Sequence, residues 1–315
     1  MQQTTHHIVL NSSSGAAASA GVRPEQLIER FAALGHSVSI DADASHPFAK
    51  RMQTARASGA PILVAAGGDG TATALAEVAI QSGKTLAVLP LGTANLLARD
   101  LALPLDLDAW FSTYQTMQPR RIDVGEVNGR VFLHKVVIGA VPGIAAAREQ
   151  IRGRGDVGAM LGFFMHFFHR LSRLRRFAAE ITPGKGDPHI ERVQSIAVAN
   201  NDYDEGPGKI FARTRLDAGT LSLYLLRSLG PMDALRLGLG MLLGSWRGDQ
   251  VLEIENVRSV HIRTGRRTVR VMLDGEVELL QSPLSFRSLP LALTVMAPPV
   301  AVDQPESHAE SILGA

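Results

Sequence analysis

The sequence predicts a two-part α/β plus β fold, with a three-layer N-terminal α/β domain followed by a β-sandwich-like domain. Three observations carry this prediction. The chain has 315 residues, more than one hydrophobic core usually holds, which favours two domains. Up to about residue 104, short apolar runs without polar alternation take turns with helical patterns, as parallel strands covered on both faces do. Beyond Arg121 the rhythm changes to alternating runs and tight turns, as half-buried antiparallel strands require. The expected division has residues 1–122 as α/β, completed by about 288–300, and residues 123–287 as β-rich.

Element by element, Ile8-Val9-Leu10 reads as the first strand and ends in the small-residue turn Asn11-Ser12-Ser13-Ser14-Gly15. Pro24 opens a helix whose apolar positions Leu27, Ile28, Phe31 and Leu34 recur at helical spacing until Gly35 stops it. Residues 38–40 read as strand and 46–58 as helix closed by Gly59. Residues 61–66 form an apolar strand that runs into Gly67-Gly68-Asp69-Gly70-Thr71 and an Ala-rich helix to about 81. Residues 86–89 repeat the pattern, ending in Pro90-Leu91-Gly92-Thr93-Ala94-Asn95 before a helix to about 101. In the second half, 124–127 and 131–137 form a hairpin around Asn128-Gly129, a pair suited to positive φ. A glycine-rich and helical insertion occupies about 139–178, and further strands are expected at 190–199, 221–226, 251–257, 259–263, 268–273 and 285–286. Met241, Leu242, Leu243 and Trp246 are expected to pack together in a helix, and residues 301–315 to form a disordered tail.

Composition excludes several classes. A hydrophobic fraction of 45% and a charged fraction of 20% rule out global disorder. Absence of cysteine excludes disulfides and thiolate metal sites and agrees with a cytoplasmic setting. Lys+Arg 32 against Asp+Glu 30 leaves only +2, too little for a broad nucleic-acid surface. No apolar stretch reaches the roughly 20 residues a spanning helix needs, so any membrane contact is expected to be peripheral. His6-His7 and the pair His166 and His169 lack acidic partners nearby in sequence and read as structural or surface residues.

The chemistry concentrates in the turns. Glycines let a backbone approach a ligand, and free N–H groups at a helix start favour an anion such as phosphate. The Gly67-Gly68-Asp69-Gly70-Thr71 turn has this character but neither the Gly-Lys-Ser/Thr of a P-loop nor the G-x-G-x-x-G spacing. A plain turn also explains its glycines, and Asp69 reads equally as an N-cap. However, three turns at strand ends, around Asn11 to Gly15, Gly67 to Thr71 and Gly92 to Asn95, can share one crevice beyond the carboxyl edge of a parallel sheet. Asp274-Gly275-Glu276 follows an apolar strand and reads either as a hairpin turn or as a pair of working carboxylates.

Together, Gly67 to Thr71, Leu89-Pro90-Leu91-Gly92-Thr93-Ala94-Asn95-Leu96-Leu97-Ala98-Arg99, Ala199-Asn200-Asn201, Leu216-Asp217-Ala218-Gly219-Thr220-Leu221 and Leu273-Asp274-Gly275-Glu276 resemble the diacylglycerol kinase catalytic domain family. The likeness is to its soluble bacterial lipid kinases, related to sphingosine and ceramide kinases, and covers about residues 8–297. The resemblance implies ATP and Mg²⁺ in an interdomain cleft and a diacylglycerol-like acceptor approaching from the β-rich side. It implies nucleotide contacts from Asn11, Gly15, Gly67, Gly68, Asp69, Gly70, Thr71, Gly92, Thr93 and Asn95, with Glu276 as base supported by Asp69 and Asp274. A sphingoid, glycolipid or NAD acceptor, or a nucleotide-binding regulator without catalysis, are the competing readings.

Departures from the family pattern stand at Ser12, Ala42, Thr73 and Ala218. In the resemblance Ala218 replaces an aspartate that helps to hold a structural Mg²⁺, so that ion is expected to be lost or weak, with Asp217 as a candidate substitute. Residues 148–176 carry seven Arg against Glu149 and Asp156, a local +5, together with four of the eleven Phe. Such a segment suits either contact with anionic lipid or a helix packed on its Phe face. Edge strands in the β-rich half allow a homodimer.

Overall fold

Strands β1 (Thr5–Leu10), β2 (Ser37–Asp41), β3 (Ile62–Gly67) and β4 (Thr85–Pro90) form the parallel sheet read from the sequence, in the order β2-β1-β3-β4. The computed structural model describes residues 5–11, 22–139, 175–206 and 212–299. The insertion at 140–174, Ser12, Gly15, His166, His169 and the tail from residue 300 lie outside the described residues. Every residue of β3 and β4 after the first is buried, which explains the unalternating apolar text.

Helices α1 (Pro24–Ala33), α2 (Phe48–Ala57), α3 (Asp69–Ser82), α4 (Leu96–Asp100) and α5 (Leu107–Tyr114) join and flank these strands. Pro24 sits at the start of α1, and Gly35 follows its end at φ 79°. α5 was not anticipated. Asp106 caps it by accepting the Ala109 N–H at 2.9 Å, and its Trp110, Phe111 and Tyr114 rings pack edge-on against Phe31. Trp110 also donates to the Val88 carbonyl at 2.8 Å, locking the helix to the sheet. His6 and His7 take structural positions, within hydrogen-bond reach of the Tyr114 and Ser39 hydroxyls.

The second half contains β5 (Gln118–Val127), β6 (Arg130–Phe132), β7 (Lys135–Ile138), β8 (Phe177–Pro183), β9 (His189–Val193), β10 (Ser195–Asn200), β11 (Leu221–Leu226), β12 (Leu252–Val257), β13 (Ser259–Thr264), β14 (Thr268–Leu273), β15 (Glu276–Gln281) and β16 (Leu284–Ala297). Strand β16 returns to the first half: its end pairs in parallel with β4 at Val295 and Leu86. A ten-stranded sheet therefore runs β2-β1-β3-β4-β16-β13-β8-β9, with β5 and β6 branching from β16. A six-stranded antiparallel sheet, β12-β11-β10-β7-β14-β15, packs on its far half to complete the sandwich. Helix α6 (Pro231–Leu243) covers part of the outer face of that second sheet.

Two expected single strands are each divided between the sheets. The run at 131–137 breaks at Leu133-His134, so β6 lies in the first sheet and β7 in the second. The run at 190–199 breaks likewise at Gln194. β8 starts at Phe177, inside the stretch assigned to the insertion. Leu243 does not join the packed helix cluster: it is exposed, while Trp246 lies beyond the helix end and is buried.

Candidate active site

The carboxyl ends of β1, β3 and β4 lie side by side, and their three turns are cross-linked by hydrogen bonds. The Asn11 N–H donates to the Ala66 carbonyl at 2.9 Å, its side-chain Nδ2 to Thr71 Oγ1 at 3.2 Å, and the Leu91 N–H to the Gly67 carbonyl at 2.9 Å. Gly68 and Gly92 touch through their backbones. A Cβ on Gly68 would lie 3.3 Å from the Gly92 Cα, and one on Gly92 would collide with the Gly68 Cα and stand 2.8 Å from Asn95 Oδ1. Glycine is thus required by contact between the turns, not by a positive φ. Asn95, at φ 50°, closes the second turn by accepting from the Gly92 N–H and donating to the Gly92 carbonyl, both at 2.8 Å. Asp69 accepts the Leu96 N–H at 2.6 Å, so it ties the start of α3 to the start of α4. Thr93 is exposed on the cleft. Gly92→Ala is expected to separate the two turns, lowering stability by about 1–3 kcal/mol, read as a lower midpoint in urea unfolding.

The opposite wall of this cleft, which encloses about 960 Å³, comes from the hairpin between β14 and β15. Asp274 and Gly275 make its two-residue turn at φ 46° and 96°, so the turn reading and the site reading of this motif coincide. Asp274 is buried; its Oδ2 accepts the Leu133 N–H at 2.6 Å and the Thr73 hydroxyl at 3.1 Å, while Oδ1 accepts the N–H groups of His134 and Lys135, each at 2.9 Å. Burial raises its carboxyl above the ordinary range, against the pull of these donors. This geometry is that of a positioning residue, and it gives Thr73 a partner across the cleft. Glu276 is exposed, and its Oε1 lies 2.6 Å from the point a Gly70 Cβ would occupy, so its carboxylate faces the first turn of α3. Arg130, paired with Glu278 at 3.0 Å, also lines the cleft. Sequence reading missed Arg130 because it lies in a surface hairpin, far in the chain from every motif.

The diacylglycerol kinase catalytic domain family matches residues 5–127. A "Probable lipid kinase YegS-like" protein of Pseudomonas aeruginosa is 32% identical over 259 residues, covering 78% of this chain and 80% of its own. The chain belongs to the diacylglycerol kinase catalytic domain family. A protein of the same name from Pseudomonas fluorescens is 29% identical, covering 78% of this chain and 81% of its own. The fold is shared with a diacylglycerol kinase from Bacillus anthracis at TM-score 0.66 and 19% identity, with 94% of this chain and 97% of that one covered. As a member of this family the protein is an ATP-dependent lipid kinase.

Below the cleft, this kinase carries a buried polar tie between α4 and the Asp274 hairpin. Arg213, with no exposed side-chain surface, donates to Asp100 Oδ2 from Nε at 3.1 Å and Nη2 at 2.5 Å, and from Nη1 to the Leu133 and Asn200 carbonyls at 2.8 and 2.6 Å. Burial raises the Asp100 carboxyl, partly offset by Arg213. Lys135, over the Tyr203 ring at 5.4 Å, is pushed down to about 8 by burial and by Arg213. His134 sits 3.2 Å from Arg213 Nη2, and burial, with Arg213 and Lys135 beside it, pushes its imidazole well below the usual range. The folded state therefore holds His134 neutral, while the unfolded chain takes up a proton near pH 6.5. Between about pH 6.5 and 5 this group is expected to cost up to about 1.4 kcal/mol of stability per unit of acidification. Asp100 and Asp274, with raised carboxyls, act in the opposite sense at lower pH. A His134→Gln variant should show a flatter fall of Tm over that interval; an unchanged slope would assign the acid limb elsewhere.

Asp217 and Ala218 lie apart from the cleft lining. The Asp217 carboxylate is about half exposed and stands 3.6 Å from Arg215 Nε. The Ala218 N–H donates to Asn201 Oδ1 at 3.2 Å, and the next N–H, of Gly219, to Asp123 Oδ2 at 2.6 Å. Among the described residues no three His, Asp or Glu side chains converge as a metal cage. Asp123, which sequence reading passed over, also accepts the Leu291 N–H at 2.8 Å and so joins this loop to β16.

Proposed function

We propose that the protein transfers the γ-phosphate of ATP to the hydroxyl of diacylglycerol or a closely related lipid, giving phosphatidic acid or its analogue. The observation that carries this is the Glu276 carboxylate set against Gly70, at the N-terminal turn of a 14-residue helix. Backbone N–H groups of the turn at 67–71 hold the phosphates, favoured by the α3 dipole, and Thr93 contacts them from the second turn. Glu276 accepts the hydroxyl proton as the lipid oxygen bonds to the γ-phosphorus; the bond to the β–γ bridging oxygen breaks and ADP departs. Asp274 holds the hairpin that aims Glu276, and Asp69 fixes the second turn through Leu96.

Mg²⁺ accompanying ATP would neutralise charge on the phosphate oxygens. Such an ion needs only one or two protein carboxylates besides phosphate and water, and Glu278, which lines the cleft beside Glu276, would supply one. Residues 1–122, completed by 288–300, form the nucleotide half in this reading, and residues 123–287 the acceptor half. The enzyme works from the cytoplasm at a membrane surface, where its acceptor resides.

A coupled assay of ADP release tests the proposal. Release is expected only when diacylglycerol in detergent micelles accompanies Mg-ATP, in equal amount to phosphatidic acid. Equal release without any lipid would overturn it in favour of plain ATP hydrolysis.

A further inference from the structure

Helix α6 is apolar on both sides. Ala234 and Leu237 pack against Tyr224 and Leu226 of the second sheet and against Trp246, which follows the helix. On the opposite arc, Met232, Leu235, Leu239 and Leu243 are 74, 49, 46 and 68% exposed. Their i, i+3, i+7, i+11 spacing sets them within about 80° of one another along three turns. A helix on a water-facing surface normally turns polar residues outward, so this face asks for a cover.

We infer that the outward face of α6 lies in the surface of a phospholipid bilayer. Three features select that occupant. Four exposed side chains fall far short of the roughly 20–30 residues a side of a stable protein interface, but are enough to seat an amphipathic helix at the headgroup boundary. The apolar surface also continues on the face of the second sheet that α6 covers. Met272 of β14 is buried under that face, and its pairing with Val277 places Val277 and Leu279, 50 and 68% exposed, on the same side. Leu279 pairs with Arg270, whose exposed guanidinium suits anionic headgroups. Val277 adjoins Glu276 in β15, whose side chain points to the opposite face, so the apolar surface ends at the strand that carries the base. The inference rests on the membrane contact proposed above; it does not depend on which lipid is phosphorylated.

Co-sedimentation of the full chain, without ATP, with phosphatidylcholine vesicles containing or lacking phosphatidylglycerol tests it. Leu239→Ser together with Leu243→Ser is expected to lower the sedimented fraction roughly tenfold. The pair should leave the circular dichroism spectrum, the monomer mass by light scattering and the turnover of a short-chain, water-dispersed diacylglycerol unchanged. Met232→Ser with Leu235→Ser, at the other end of the helix, should act alike and guards against a folding defect in the first pair. Wild-type sedimentation by both pairs, or a wild-type protein that fails to bind vesicles, would overturn the inference. So would a wild-type dimer that the substitutions split, which would make the face a contact between copies. Vesicle binding without turnover of any lipid would instead contradict the proposed activity and leave the docking surface standing.

Discussion

Glu276→Gln is expected to lower kcat by about 10²–10⁴-fold while ATP binding, measured by calorimetry, stays within a factor of two or so of wild type. Glutamine fills the same volume against Gly70, so the cleft keeps its shape, but it cannot take the hydroxyl proton. Asp274→Asn separates aiming from proton transfer. Its amide would turn an NH₂ toward one or more of the Leu133, His134 and Lys135 N–H groups, leaving buried donors unpaired at a cost of about 1–3 kcal/mol. That variant should therefore lose thermal stability as well as rate, whereas Glu276→Gln should lose rate alone. Full turnover by Glu276→Gln would remove the residue from its assigned role.

Arg213→Met should destabilise the protein by about 3–5 kcal/mol, because the Asp100 carboxylate is then buried without its cation. Urea unfolding reads this as a lower midpoint at similar slope. The guanidinium also holds the Leu133 and Asn200 carbonyls, so part of the loss is in hydrogen bonds to the chain. Asp100→Leu added to Arg213→Met should recover much of the deficit, since an apolar pair can replace a buried ion pair. A single-variant loss under about 1 kcal/mol would mean that the tie between α4 and the Asp274 hairpin is not a stabilising element.

The parts of the site set by local chemistry were legible. Gly67 to Thr71 follows a strand buried on both faces and precedes an Ala-rich helix, and each of those patterns reads within a dozen residues. Asn128-Gly129 makes the expected positive-φ turn, at 48° and 81°. What escaped depends on partners distant in the chain. The break between β6 and β7 is made by Asp274 capturing the Leu133 N–H from 141 positions away, and nothing local to 131–137 announces it. Strand β16 reads as only Ser285 and Phe286, because Arg287, Ser288 and Pro290 break the apolar text that follows. The structure absorbs Pro290 in a register shift between Leu289 and Leu293, where Leu291 adopts φ 51° and gives its N–H to Asp123. Helix α6 misled in another way: the apolar run at its end suggests that Leu243 is packed, and only the structure shows that the arc with Leu243 faces outward.

The most direct test of the central claim is incubation of the purified protein with γ-³²P-labelled ATP, Mg²⁺ and, in separate reactions, diacylglycerol, sphingosine, ceramide, a glycolipid and NAD. Label should pass to diacylglycerol in wild type and be nearly absent with Glu276→Gln. ATP bound with no acceptor labelled, or label passing to NAD in place of any lipid, would contradict it.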